Sequence, residues 1–302
     1  MENLANLPQA PRTGWRAWAI AFALILALAW AFLGTNFRPP ELVSGLPHMA
    51  DMVAKSWPPD MSLLFSKETY SFPEDLTVAE TLLAVPLGAE KAESRERWWS
   101  NTWPQTVLGG TVQTIQMALA GTFLAAIFAF PLSFLAARNT APSGAIYHSV
   151  KMLVNFLRSV PDFAVGLILI SAVGLGAFNG VMALTFATTM VLVKLFSEAI
   201  EGIDSGVVEA IVTTGANRFQ VVSFAVVPQI MPDFISFVIY RFEANIRSAT
   251  VLGLIGAGGI GLQMTTYFRL FDYQKAAVCV IVLIVLVMLT DYASAKLRKL
   301  VT

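Results

Sequence analysis

Six long apolar runs recur along this chain, separated by polar or turn-forming stretches. A helix needs about 20 apolar residues to cross the hydrocarbon of a bilayer. The runs therefore predict spans over about residues 15–34, 108–137, 147–176, 181–200, 226–254 and 275–295, with Pro161 interrupting the third. Residues 35–104 break the pattern: they hold eight of the fifteen prolines, ten acidic and six basic side chains. Within them, 76–87 reads as an amphipathic helix for a membrane surface, and 90–99 as a charged stretch ending in aromatics. Between the fourth and fifth spans, residues 201–232 keep a helical rhythm. Val207, Val208, Ile211, Gly215, Phe219 and Val222 recur, with Glu209, Asn217, Arg218 and Gln220 between them. The Ser205 hydroxyl is placed to cap this helix, Gly215 gives a flexible or closely approached point, and Pro228 with Pro232 marks entry to the next span.

Composition agrees with a membrane-embedded, all-α bundle. The chain is 56% apolar and 13% charged, with mean hydropathy +0.65, unlike a soluble domain. A net charge of zero gives no case for nucleic acid, and the single cysteine, Cys279, allows no intrachain disulfide. The first run has too long an apolar core, and lacks the cleavage site, for a removable signal, so it reads as a retained anchor. Three sections result: residues 1–34 with the N-terminus and first span, 35–104 outside the membrane, and 105–302 as the core. Basic residues in short flanks (Arg12, Arg16, Arg138, Arg218, and Lys296 with Arg298 and Lys299) fall on one side of six spans. Both termini, and the helix at about 201–224, are therefore expected in the cytoplasm.

Charges inside apolar spans are costly and need partners or water. Arg241, Glu243 and Arg247 lie within the fifth span. Counting from Pro228 at 1.5 Å per residue places Arg241 and Glu243 near mid-membrane and Arg247 nearer the outer side. Glu243 and Arg247 are one helical turn apart in the favourable order. Two readings follow: a guanidinium offered to a passing oxyanion, or an ion pair that fixes helix packing, in which case Arg241 or helix-end amides would meet the anion. Arg158 with Asp162, and Lys194 with Glu198, read as inter-helix pairs or gate contacts. Residues 256–261 satisfy GxGxxG, but no strand precedes them and no acidic residue follows at the required distance, so close backbone packing is the expectation. His48 and His148 have no ligands at metal spacing. No lysine follows a glycine, so the chain carries no phosphate loop and no ATP site of its own.

Glu209-Ala210, Gly215 and Pro228 are spaced like the cytoplasmic signature of ATP-binding-cassette (ABC) importer permeases, with Ile211 and Val227 as apolar departures from it. The runs LRSVPD at 157–162, YRFEANIRSATVLGLIGAGGIG at 240–261 and FRLFDY at 268–273 resemble the phosphonate permease branch. The resemblance covers about residues 105–302 well and 1–104 loosely. It implies a type I (MetI-like) permease core of six helices in the bacterial inner membrane, working as a homodimer. It also implies a separate cytoplasmic ATPase dimer, which holds ATP and Mg, and a periplasmic phosphonate-binding protein. The implied cargo is phosphonate, phosphite, hypophosphite or a phosphate ester. Glu209, Ala210, Gly215 and Pro228 would couple to the ATPase, while Arg241, Glu243, Arg247 and Arg158 would line the pathway or gate. The binding protein would dock on 35–104 and 256–274.

Two other classes stay open. A proton-coupled secondary transporter could work through Glu243, but it usually shows internal repeats, and none is found. An intramembrane enzyme could use Glu198 or Glu243, but no nucleophile or metal set accompanies them.

Overall fold

The computed structural model describes residues 14–35, 38–83 and 86–301. They form two units, divided after Ala54. In the first, α1 (Trp15–Gly34) is apolar all round and buries none of its residues, as expected of a helix whose solvent is lipid. After it comes α2 (Pro39–Lys55).

In the second unit, the long helices are α3 (Val107–Ala136), α6 (Ala177–Glu201), α8 (Val227–Leu252) and α10 (Tyr273–Val301). The shorter ones are α4 (Gly144–Arg158), α5 (Asp162–Val173), α7 (Ser205–Thr213) and α9 (Gly259–Arg269). Helices α3 and α6 pack along their lengths because α3 turns small residues inward, including Gly121, Thr122, Ala125 and Ala129. A Cβ at Gly121 would lie 2.8 Å from that of Leu184 on α6, so the contact needs a residue with no side chain. Across this pair lies α8, with Phe234 stacked on Phe196 at 3.8 Å between ring centroids.

Among the described residues, five helical stretches are long and apolar enough to cross a membrane, and a bent pair adds a sixth if it counts as one broken span. That pair corrects the expectation of one span over 147–176. Helices α4 and α5 meet at 80° around Pro161, which cannot donate to the helix ladder and pushes Val160 away from helical backbone. The other spans lie within a few residues of expectation, apart from α10, which continues to Val301.

Residues 56–105 form a lobe around aromatic rings rather than one surface helix. Trp98 is 3% exposed, packs on Phe72, Trp99 and Trp103, and donates from Nε1 to the Tyr70 carbonyl at 2.8 Å. The helix expected over 76–87 is confined to Val78–Leu82, where Thr77 and Glu80 cap it reciprocally. Leu76 turns inward, Leu83 is already extended, and Ala84 with Val85 lies outside the described residues. Aromatic packing within the lobe has overridden the local pattern. Leu63 anchors the lobe to the bundle, packing with Val107, Ile260, Val278 and Cys279. Cys279 is thus a core residue between helices.

The 253–261 glycines bring backbones together, as expected. Gly256, Gly258 and Gly259 have φ of 106°, 91° and 70°, the left-handed region open to glycine. The Gly259 and Ile260 amides donate to Gln113 Oε1 and Thr114 Oγ1 of α3 at 2.7 and 3.0 Å, and a Cβ at Gly259 would collide with that hydroxyl.

Candidate functional site

The 201–232 segment is two helices. α7 is capped by Asp204, whose carboxylate accepts from the Gly206 amide at 2.8 Å, so the expected Ser205 cap is displaced by one residue. Gly215, with φ of +83°, ends that helix. Asn217 and Gln220 then cap a second start reciprocally, at 2.9 and 2.8 Å. This helix (Arg218–Val221) runs through a wide turn, Val222–Val226, into α8. Pro228 stands in the first turn of α8, where a missing N–H costs least. One capping signal had been read where the chain holds two.

Glu209, Ala210 and Val207 are exposed on α7, and Phe219 on the helix after it, so the segment presents apolar side chains outward. Its inner side faces a groove of about 590 Å³ lined by Asn139, Thr140, Glu201, Val208, Val212 and Arg218 among others. Its root is tied to four helices. The Glu201 carboxylate accepts from the Arg138 amide at 3.0 Å and from Lys151 Nζ of α4 at 3.2 Å. Asn139 Nδ2 donates to the Ile200 carbonyl at 2.6 Å, and the Asp204 amide donates to Gln229 Oε1 of α8 at 3.0 Å. The approach to α7 is thus hydrogen-bonded to the middle of α4 and to the ends of α3, α6 and α8.

Along α8, charges divide between two faces. Towards α10, Glu243 is 12% exposed and takes Arg247 at 3.0 Å on one oxygen and Arg298 at 3.4 Å on the other. Arg247 also reaches Asp291 at 2.9 Å. Two acids and two guanidiniums balance to zero. Asp291 and Arg298 sit in the last three turns of α10, so Arg247 packs beside the C-terminal part of that helix. The helical path is already under way at Arg218, so distance from Pro228 measures helix length rather than depth.

Towards α3 and α6 lies a buried polar seam. Asn245 Nδ2 donates to Thr122 Oγ1 at 2.8 Å, and Thr188 Oγ1 donates to Asn245 Oδ1 at 2.9 Å. Both threonines stand near the middles of their helices. Arg241 adds only long contacts, 3.4 Å to Thr188 Oγ1 and to Asn245 Oδ1, and its Nε is buried without an acceptor. Among the described residues it has no ion pair within contact distance.

Of the other expected contacts, Lys194 and Glu198 pair at 3.6 Å within α6 and do not bridge helices. Arg158 is exposed at the end of α4 and makes no ion pair with Asp162, because the 80° bend separates them. Asp162 Oδ1 instead accepts from the Phe163 amide. Sequence reasoning missed Glu201, Lys151, Gln229, Asp291, Thr122 and Thr188. Asp291, an acid closing an apolar run, was the one visible signal.

The family described as "binding-protein-dependent transport system inner membrane component" matches residues 129–301. The phosphite transport system permease protein PtxC of Stutzerimonas stutzeri is 34% identical over 281 residues, covering 93% of this chain and 87% of that protein. The putative phosphite transport system permease protein HtxC of the same organism is 32% identical over 300 residues, covering 99% and 92%. Among solved structures, the MetNI methionine ABC transporter, in an inward-facing conformation, aligns with TM-score 0.58 at 20% identity, over 65% of this chain and 96% of its own. That likeness concerns the fold. With the multi-span bundle and no phosphate loop, these matches make this chain a member of the binding-protein-dependent transport system inner membrane component family, the permease subunit of an ABC importer whose ATPase is a separate chain.

Proposed function

We propose that the chain forms the translocation pathway for a small phosphorus oxyanion, phosphite or a phosphonate, by alternating access. The likeness to phosphite permeases over nearly the whole length suggests the class of cargo. The observation that carries the reading is Arg241, a guanidinium in the buried seam that no carboxylate neutralises at contact distance. A planar fork of donors suits phosphorus oxyanions. Arg247 is saturated by Glu243 and Asp291 and serves as a strut.

Two copies of the chain would enclose the path, with both termini in the cytoplasm and the lobe and the 256–274 region meeting the binding protein outside. An ATPase dimer holding ATP and Mg would grip α7 through Glu209, Ala210 and the Gly215 turn. Its motion would pass through Glu201 and Gln229 to four helices, with Pro228 at the root of α8. Arg158, exposed at the bend, would serve the cytoplasmic gate.

The test is ATP-driven uptake by the assembled complex in proteoliposomes, with phosphite, phosphonate, phosphate and sulfate compared. Uptake confined to phosphorus oxyanions supports the reading. Uptake driven by a proton gradient without ATP overturns it.

A further inference from the structure

In the first unit, α2 divides into a polar and an apolar face. In α2 the polar residues Glu41, Ser44, His48, Asp51 and Lys55 recur every three or four positions. At 100° per residue they fall within an arc of about 80°. Val43, Leu46, Met49, Ala50 and Val53 occupy the opposite side, over an arc of about 120°. No described side chain of α2 is buried; Val43, Leu46, Met49 and Val53 are 65%, 53%, 54% and 64% exposed. Water would not leave such a stripe bare.

What covers it is set by what precedes it. Helix α1 spans a membrane by length and composition and ends at Gly34. Four residues, 35–38, separate it from α2 and reach about 14 Å at full extension. The headgroup region beyond the hydrocarbon is itself several Å deep, so α2 begins beside the surface from which α1 emerges. Its start is pinned by the Arg38–Glu41 pair at 3.1 Å. The polar face carries few cations, so attachment would rest on apolar area rather than on anionic lipid.

We propose that α2 lies in the plane of the bilayer interface, its Val43–Leu46–Met49–Val53 stripe in lipid and its Ser44–His48–Asp51 stripe in water. With α1 it makes an anchor of one spanning and one interfacial helix. The occupant is a lipid surface.

The test uses the full chain in vesicles of phosphatidylethanolamine and phosphatidylglycerol, with Cys279→Ala so that single cysteines can be labelled with bimane. Val43→Cys, Leu46→Cys and Val53→Cys are compared with Ser44→Cys and His48→Cys. Lipid brominated near the glycerol end of its chains should quench the first set at least about twofold more than the second, and aqueous iodide should do the reverse. Shielding of the apolar set from both quenchers means that protein covers the stripe and overturns the proposal. Equal lipid quenching of both sets means the helix is immersed, and equal iodide quenching means it stands in water. Either result overturns it too.

Discussion

The two faces of α8 hold arginines under opposite conditions. On the α10 side, Arg247 meets two carboxylates and Glu243 meets two guanidiniums, so the charges cancel within one network. On the α3–α6 side, Arg241 meets only neutral oxygens at 3.4 Å and keeps its charge. A balanced network resists a passing anion, because adding one leaves a surplus negative charge in a medium that screens poorly. An unbalanced guanidinium in a hydrogen-bonded seam is incomplete without one. On the proposed function, one helix would separate packing from passage by facing two ways.

The strongest way to break that contrast is to exchange the two roles. Arg241→Gln should lower ATP-driven phosphite uptake roughly 10- to 100-fold, the worth of one or two charge-assisted hydrogen bonds, while the thermal midpoint in detergent holds. Arg241→Lys should recover only part, because an ammonium lacks the planar fork. Equal uptake by wild type and Arg241→Gln would remove the oxyanion role.

Glu243→Gln should do the opposite, costing stability before transport. It removes one carboxylate from Arg298 and one from Arg247, which keeps Asp291. With Arg247 45% exposed, the loss should be about 2 kcal/mol, between the values for surface and buried pairs, read from thermal unfolding in detergent. Glu243→Gln combined with Arg298→Gln should cost less than the sum of the two single changes. Strict additivity would show that the network does not act as one.

A third change sharpens the contrast from outside α8. Gly215→Ala meets nothing within 4 Å but must hold φ of +83°, which costs about 1 kcal/mol for a residue with a Cβ. The re-formed turn should lower uptake per ATP hydrolysed with binding unchanged. An unaltered ratio would leave the turn without a coupling role.

The smallest effect belongs to the lobe and to pH. The Thr77 backbone amide, its hydroxyl and Lys91 hold the Glu80 carboxyl down from its ordinary 4.5 to about 2. A depressed acid contributes stability above its unfolded pKa and loses it as pH falls through the folded value. The Val78–Leu82 helix should loosen between about pH 4.5 and 2, seen as faster amide exchange there. Exchange that stays flat across that window, or an identical profile in Glu80→Gln, would show the cap to be idle.

Legibility followed the range of the interactions. The spans were readable because each is a continuous run of one chemistry, and Pro161 announced a break, although not its angle. The 201–232 segment was expected as one helix and is two, since Asp204 and Asn217 look like any polar residues until the backbone turns to meet them. The 76–87 stretch has amphipathic spacing, yet the packing of Trp98 and its neighbours decided its course. Of the charges on α8, the Glu243–Arg247 pair was visible at one helical turn. Asp291 and Arg298, 44 and 55 residues from their partners, were not.

By itself, the sequence determined which segments are long and apolar enough to span a membrane, where most of the long helices start and stop within a few residues, and that the chain carries no phosphate loop. These depend on transfer free energies and capping, which act between near neighbours along the chain. Only the tertiary structure decided which arginine is neutralised and which is left wanting, because that depends on which helix faces which. Crossing geometry is set by small residues on α3 and glycines before α9, and a single rotation of α8 would have reversed the assignment.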